Sequence, residues 1–299
     1  MRADYFKFLT EAMKKDEKIF FIMADTGYNL VEPLFEEFPE RTLNVGIAEQ
    51  NLIGIAAGLA NMGFKPVCYA ISQFLIERCY EQIRNDLCYH DYPVTLVGTS
   101  TGLDNGSLWA THYVVDDIGC VKVLPNIHIY SPSSIESMAK IFTETMENPH
   151  PSYIRITKSV FSEEKPIENI NRFVFKNKNS DTLVISHGRM VKNSMDAVKI
   201  FPNFSIFAMD KIKPIDESII DIIKNYKDIV VIEDNFNSGL YNSLCQFVVE
   251  KNINVRNLIS ISVNESFGSK TGDTKYLDNI FGLTSEKISS LIQNLNDNA

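Results

Sequence analysis

One segment of the chain places a single carboxylate at the start of a run of small, apolar residues. The segment covers residues 44–60, and Glu49 is its only charged side chain. Burying a carboxylate is costly unless it has a charged or hydrogen-bonding partner, and the segment holds no basic residue. It therefore predicts a helix over 46–60 whose acid is paired with something other than a side chain, such as a ring nitrogen that needs a proton. A plainer alternative is an acid in the first turn of a helix, favoured by the helix dipole.

Length and composition narrow the class of protein. The chain has 299 residues, 44% of them hydrophobic, and a net charge of −9. This length suggests about two domains, and the negative charge disfavours a nucleic-acid partner. No apolar stretch reaches the roughly 20 residues that span a membrane. The N-terminus lacks the apolar core of a signal peptide, and the five cysteines form no Cys-x-x-Cys pair. We therefore expect a cytoplasmic protein that contacts neither nucleic acid nor membrane.

Short apolar runs alternate with helical patterns along the chain. Such alternation predicts parallel sheets with right-handed crossovers. The expected fold class is α/β, with two three-layer αβα domains at 1–160 and 181–299 and a polar linker at 161–180. The predicted strands are 19–23, 65–69, 94–98, 127–132, 172–175, 182–188 and 229–234, and the predicted helices include 74–87 and 285–295.

Several short motifs follow the Glu49 segment in a fixed order. They are residues 71–86, 98–103, Ala110-Thr111-His112, Asp116-Asp117, 124–126, 213–216, Glu233-Asp234, 238–240, and the final stretch from Phe267-Gly268 to Gly282-Leu283. In this order they resemble the pyrimidine-binding and C-terminal domains of the transketolase family. The resemblance covers nearly the whole chain and corresponds to the C-terminal two-thirds of a full-length transketolase. It implies that the first domain binds the thiamine-diphosphate pyrimidine and that the second is transketolase C-terminal-like.

The resemblance implies thiamine diphosphate as the cofactor. The family carboxyl that matches Glu49 faces N1′ of the aminopyrimidine, where it favours the imino form that accepts the C2 proton. Phe74 matches the aromatic residue that stacks on this ring, although a core phenylalanine on an amphipathic helix is an alternative. Asp25, Ile71 and Arg78 match positions near the cofactor, and an Asx turn is the alternative for Asp25. The cofactor supplies the carbanion chemistry, and the protein supplies binding and electrostatics.

His112 is the candidate acid/base residue. It matches a family position near the thiazolium and the substrate, where an imidazole can polarise a donor carbonyl or donate a proton. The alternative is a loop histidine that bonds to the backbone. The resemblance implies transfer of a two-carbon ketol unit from a ketose to an aldose acceptor.

The chain departs from the family at the substrate positions. After Gly106 the family commonly carries Glu-Asp-Gly, and Leu108 stands where an aspartate would contact a sugar hydroxyl. Ser100 replaces a histidine, and Lys158 replaces an arginine that commonly holds the phosphate of the acceptor. Trp109, the only tryptophan, predicts an aromatic or apolar wall. These changes predict a modified sugar substrate, either deoxygenated or nucleotide-linked.

Half of the implied cofactor site is missing from the sequence. No Gly-Asp-Gly…Asn run is present, and in the family that motif anchors Mg²⁺ and the diphosphate. The resemblance therefore implies an N-terminal-section subunit that binds most of the Mg²⁺ shell, in an α₂β₂ assembly, with no metal ligand expected here. Two alternatives stay open. One is a decarboxylating enzyme similar to deoxyxylulose-phosphate synthase or the E1β chain of 2-oxoacid dehydrogenases, and the other is a non-catalytic scaffold subunit.

Overall fold

Two β-sheets with flanking helices form the fold, which confirms the predicted α/β class. The computed structural model describes residues 1–264 and 271–297, so Phe267 and Gly268 lie outside the described residues. The strands in these ranges are β1 (Ile19–Met23), β2 (Thr42–Asn44), β3 (Lys65–Ile71), β4 (Thr95–Thr99), β5 (His128–Tyr130), β6 (Ser152–Ile156), β7 (Arg172–Phe175), β8 (Thr182–Ser186), β9 (Ser205–Ala208), β10 (Lys211–Lys213), β11 (Asp228–Phe236) and β12 (Asn257–Val263).

The helices connect these strands and close the chain. They are α1 (Arg2–Lys15), α2 (Glu32–Glu37), α3 (Glu49–Asn61), α4 (Ser72–Ile76), α5 (Tyr80–Gln82), α6 (Asp117–Val121), α7 (Ile135–Glu147), α8 (Met190–Ile200), α9 (Ile219–Ile223), α10 (Leu240–Glu250), α11 (Thr274–Phe281) and α12 (Ser285–Asp297). Within the described part of the chain, no helix is long and apolar enough to cross a membrane.

The strand order links the two halves of the chain. The first sheet runs β10-β5-β6-β4-β3-β1-β2, and the second runs β12-β11-β8-β9-β7. Pairing is parallel except at two edges, where β10 lies antiparallel to β5 and β7 antiparallel to β9. Strand β7, predicted within the linker, is therefore an edge of the second sheet, whereas β10 extends the first sheet from the later half of the chain. The boundaries 1–160, 161–180 and 181–299 stay a prediction.

Both faces of the first sheet are buried, which explains its continuously apolar strands. In β1, Ile22 packs into one apolar core, whereas its neighbours Phe21 and Met23 pack into another. Successive side chains of a strand point to opposite faces, so each core lies on its own side of the sheet. Ligand sites in such a sheet lie beyond the carboxyl ends of the parallel strands.

Two predicted helices differ from those observed. The helix predicted over 46–60 begins only at Glu49, because Gly46 has φ +72° and Ala48 has an extended φ of −143°. The single helix predicted over 74–87 is broken into α4, α5 and a π-helix at Ile83–Cys88. The break falls at Cys79, whose backbone (φ −107°, ψ 13°) is not helical.

Candidate active site

Four of the predicted site residues lie at the carboxyl ends of four parallel strands. Ile71 is the last residue of β3, and Ser100 directly follows β4. Asp25 comes two residues after β1, and Lys158 comes two residues after β6. Because parallel strands end at the same edge of a sheet, these residues from distant parts of the sequence line one edge of the first sheet.

Glu49 lies at the start of α3 and is only 3% exposed. Nη1 of Arg78 donates a hydrogen bond to its Oε2 at 2.5 Å. The expectation that Glu49 has no basic side chain as a partner is therefore wrong. Arg78 is 29 residues away in sequence, but α4 packs against α3 and brings it to the carboxylate. The ion pair offsets the cost of burying the carboxylate.

Arg78 extends this pair into a row of four side chains. Its guanidinium carbon lies 4.4 Å from the centroid of the Phe74 ring, a cation–π contact. The Phe74 ring in turn meets the His112 imidazole edge-on, with centroids 5.5 Å apart. Nδ1 of His112 lies 2.9 Å from the Thr111 hydroxyl. Glu49, Arg78, Phe74 and His112 thus form one contiguous group from three separate segments.

The row of four fits an aminopyrimidine in its chemistry. Such a ring needs a carboxyl for one nitrogen, an apolar face to stack on and an acceptor for its amino group. Glu49 and the half-buried Phe74 ring supply the first two. Gln73, beside Phe74, has a buried Oε1 with no hydrogen-bond partner among the described residues, and buried acceptors rarely stay unpaired. No group of three His, Cys, Asp or Glu side chains in the described ranges could hold a metal ion.

The loop that carries His112 presents two apolar side chains to solvent. We call residues 100–112 the His112 loop. Leu108 is 51% exposed and Trp109 is 53% exposed. Trp109 has φ +69° and ψ 176°, a backbone region that is almost confined to glycine and stores strain. Ser100, at the start of the loop, also has a positive φ of +64° and is buried.

Lys158 holds the His112 loop. Its backbone N–H donates to Oδ2 of Asp104 at 2.6 Å. Its ammonium donates to the carbonyl of Asp104 at 2.8 Å and to Oδ1 of Asn105 at 3.2 Å. Burial raises the pKa of the Asp104 carboxyl, and the nearby Arg189 opposes that rise. Two of the three ammonium donors of Lys158 are therefore committed to the loop, and one stays available for a phosphate.

Asp25 is tied to the segment that leads into α3. Its backbone N–H donates to Oδ1 of Asn44, and the Asn44 amide donates back to Oδ1 of Asp25, both at 3.1 Å. The N–H of Gly46 donates to the same Asn44 oxygen at 2.9 Å. Asp25 is exposed at the sheet edge and supports the backbone that positions Glu49.

Sequence reasoning missed a buried ionic cluster between the two sheets. Arg155, 1% exposed, donates from Nε to Oδ2 of Asp117 at 2.7 Å. Asn235, from the second sheet, donates to the other oxygen of Asp117, also at 2.7 Å. The available signal was an arginine inside the apolar strand 152–156, since a fully buried arginine requires a charged partner. The cluster fixes the first sheet against the second.

Glu77 is a second residue that sequence reasoning missed. Burial raises its pKa to about 8, and a hydrogen bond with Asp116 and the charges of Asp116 and Asp117 add to the rise. Glu77 directly precedes Arg78, and Asp116 follows the His112 loop. Protonated Glu77 can therefore donate a hydrogen bond to Asp116, which joins the residues after α4 to the segment after that loop.

We expect the stability of the protein to fall as the pH rises from about 4.5 through about 8, because folded Glu77 keeps a proton that the unfolded chain has lost. Glu77→Gln, which mimics the protonated form, should remove this part of the pH dependence. Urea unfolding near pH 6 and near pH 9 measures it. The control is Glu81→Gln at the exposed residue of α5, which should keep the native slope. Equal slopes in native protein and Glu77→Gln would contradict the assignment.

Comparisons with known proteins identify the family. The transketolase pyrimidine-binding domain matches residues 1–162, and the transketolase C-terminal domain matches residues 172–288. The chain belongs to the transketolase family. It corresponds to the C-terminal section of a transketolase, which consists of these two domains.

Several relatives match almost all of this chain. A Methanocaldococcus jannaschii protein named as a transketolase C-terminal section is 32% identical, over 98% of this chain and 95% of its own. One of the subunits of the apulose-4-phosphate transketolase of Actinobacillus succinogenes is 30% identical, over 95% of this chain and 94% of its own. A 1-deoxy-D-xylulose-5-phosphate synthase of Caldanaerobacter subterraneus is 31% identical, and this chain spans 47% of it.

Solved structures show the same fold. A split-gene transketolase described as an inactive β4 tetramer superposes with a TM-score of 0.83 at 26% identity, covering 98% of this chain and 96% of its own. Transketolase from Campylobacter jejuni superposes with a TM-score of 0.81 at 16% identity, covering 98% of this chain and 46% of its own. The expectation that the chain corresponds to two-thirds of a full-length transketolase is therefore wrong, because it spans less than half of this one. The second likeness concerns the fold alone.

Proposed function

We propose that this chain is the C-terminal subunit of a split, thiamine-diphosphate-dependent transketolase. It would transfer a two-carbon ketol unit from a ketose to an aldose acceptor. The observation that carries the proposal is the row Glu49–Arg78–Phe74–His112 in a chain of this family. Two relatives, one named as a C-terminal section and the other as one subunit of a transketolase, match this chain over at least 94% of their length, which supports a separate subunit.

The partner in this proposal is an N-terminal-section subunit that binds the diphosphate and Mg²⁺. This chain carries no Gly-Asp-Gly…Asn run, and the cofactor-directed residues of its row, Glu49 and Phe74, are suited to the pyrimidine end of the cofactor. The related split transketolase described as an inactive β4 tetramer supports dependence on a second chain. Two copies of each subunit would give an α₂β₂ assembly with each site at an interface.

Each residue of the row has a distinct task in this proposal. Thiamine diphosphate, when bound, supplies the carbon nucleophile that breaks and forms the carbon–carbon bond. Glu49 holds a proton at the ring nitrogen, and Phe74 offers a stacking face. Arg78 balances the charge of Glu49, because the two are in contact. His112 donates or accepts a proton at the reacting hydroxyl or carbonyl of the sugar.

The substrate in this proposal is a modified sugar phosphate. Leu108 and Trp109 expose apolar surface in the His112 loop, and neither offers the carboxylate that would bind a sugar hydroxyl. The remaining ammonium donor of Lys158 is suited to one phosphate oxygen. The relative named for apulose 4-phosphate supports a sugar other than the common linear pentose phosphates. Turnover of xylulose 5-phosphate at a rate comparable to that of ordinary transketolases would contradict a modified sugar as the substrate.

Purification of the tagged chain from its own host tests the proposal. We expect a second chain to copurify, with bound thiamine diphosphate and Mg²⁺ and with a native mass that fits two copies of each chain. The copurified complex should transfer ketol units, whereas this chain alone should show no turnover. A lone oligomer that binds neither cofactor nor companion would favour the scaffold alternative.

A decarboxylating reaction is the second candidate. Deoxyxylulose-phosphate synthases match this chain at up to 31% identity, although it spans less than half of them. The leucine at position 108 also removes a side chain suited to sugar recognition. Incubating the complex with labelled pyruvate separates the two reactions. Release of CO₂ would support decarboxylation, whereas ketol transfer proceeds without CO₂ release.

A further inference from the structure

Residues from the second half of the chain, Thr271 and Gly272, contact the His112 loop at Gly106. The Thr271 hydroxyl donates to the Gly106 carbonyl at 2.8 Å, and the Gly272 N–H approaches the same oxygen at 3.4 Å. Trp109 donates its own N–H to this carbonyl at 3.3 Å. One carbonyl oxygen therefore joins the turn that presents Trp109 to residues 165 positions further along the chain.

Helix α11 packs closely on the same point. A β-carbon added to Gly106 would lie 2.1 Å from Cδ1 of Leu277 and 2.8 Å from the Gly272 carbonyl, so only glycine allows this approach. Leu103 of the loop is fully buried in a core that also contains Leu277, and the Thr274 hydroxyl donates to its carbonyl at 3.4 Å. Residues 103–106 are therefore seated on α11.

Helix α11 is itself fixed to the second sheet. The guanidinium of Arg189 binds both carboxylate oxygens of Asp278 at 2.8 and 2.9 Å. Its Nε donates to Oδ2 of Asp234, at the end region of β11, at 2.6 Å. Bidentate pairs of this kind are strong and set geometry. A rigid path thus runs from the second sheet through Arg189 and α11 to Gly106.

We propose that the second half of the chain positions Trp109 and His112 for the sugar acceptor, with Thr271 as a positioning residue. Trp109 and His112 follow Gly106 by three and six residues. Among the described residues, the hydrogen bonds from Thr271, Gly272 and Thr274 reach the loop only at Leu103 and Gly106. The claim that this positioning serves the acceptor rests on the proposed function. The claim that Thr271 holds the loop in place does not.

The single tryptophan of the chain makes the second of these claims measurable without cofactor or partner. Trp109 is 53% exposed, so its fluorescence reports the loop directly. Loss of one hydrogen bond shifts an equilibrium between two loop positions by about five-fold. We expect Thr271→Val to change the accessibility of Trp109 to acrylamide in the full chain, and Thr271→Ser, which keeps the hydroxyl, to restore it.

The matched control removes a hydroxyl from the adjoining helix α11 without touching Gly106. Tyr276 of α11 is 44% exposed, and Tyr276→Phe keeps the ring that packs on Gly272. It should leave Trp109 quenching unchanged. An unchanged quenching curve in Thr271→Val, or an equal change in Tyr276→Phe, would overturn the inference.

Kinetics on the complex with the partner subunit complete the test. Thr271→Val should raise KM for the acceptor about five-fold while leaving KM for the donor near its native value, and Thr271→Ser should recover acceptor KM. If Thr271 only stabilised the fold, Thr271→Val would lower the active fraction and reduce kcat, while KM for the acceptor and KM for the donor would stay near their native values. That result would contradict a positioning role. If fluorescence changes as expected but no variant or native complex transfers ketol units, the proposed function fails and the structural inference stands.

Discussion

Glu49→Gln should lower ketol transfer by about 10²- to 10⁴-fold in the assembled enzyme, the range for loss of a positioned proton-transfer group. Glutamine keeps the size of the side chain but cannot hold a proton at the ring nitrogen. The carboxyl is 3% exposed and forms an ion pair with Arg78. The other three residues of the row carry no carboxyl that could take its place. Turnover of the complex under saturating thiamine diphosphate measures the loss.

Glu81→Gln is the matched control for this substitution. Glu81 lies exposed on α5, three residues after Arg78. Among the described residues, no hydrogen bond or ion pair joins it to the row. We expect near-native turnover from it. The native mass of both variants should equal that of the native complex, which separates a catalytic defect from failed assembly. Near-normal turnover in Glu49→Gln would remove Glu49 from the mechanism.

Trp109→Gly should stabilise the fold relative to Trp109→Ala while both variants lose activity toward the native acceptor. At φ +69° and ψ 176° any residue with a β-carbon is strained, at a cost of about 1–3 kcal/mol. Both substitutions remove the indole, but only glycine removes the strain. The free energies of unfolding of the two variants in urea should therefore differ by about 0.5–2 kcal/mol in favour of glycine, after the entropy cost of glycine is included.

The same pair of variants tests the role of the indole. If Trp109 forms an apolar wall for the acceptor, the two variants should lose kcat/KM equally, by roughly ten-fold or more, because a buried aromatic contact contributes about 1.5–3 kcal/mol. Equal stability of the glycine and alanine variants would contradict the strained backbone. Native kcat/KM in both would contradict the contact with substrate.

The sequence carried enough information to predict most of the fold and the parts of the site that depend on local patterns. Alternating apolar runs predicted strands that match β1, β3, β4 and β8 to within two residues at each end. These strands could be predicted because strand and helix periodicities are local. The resemblance to the transketolase family, rather than a local pattern, placed Phe74 and His112 in one site, and the structure brings their rings to 5.5 Å.

Contacts between distant segments could not be predicted from local sequence patterns. The partner of Glu49 is a side chain 29 residues away, brought close by a helix that the pattern 74–87 predicted as continuous. The cluster of Arg155, Asp117 and Asn235 joins two sheets whose order no local pattern specifies. Strand β10 likewise joins the first sheet from the later half of the chain.

The sequence by itself predicted the two αβα units from its alternating apolar runs. Its motif order, through the resemblance to the transketolase family, supplied the residue types of the candidate site. Only the tertiary structure decided how those residues are held. It paired Glu49 with Arg78, placed Trp109 in a backbone region that disfavours it, and seated Gly106 beneath Thr271 and Leu277. The physical reason is that such contacts form where separate segments meet, and the strand order and helix packing of the whole chain fix those meeting points.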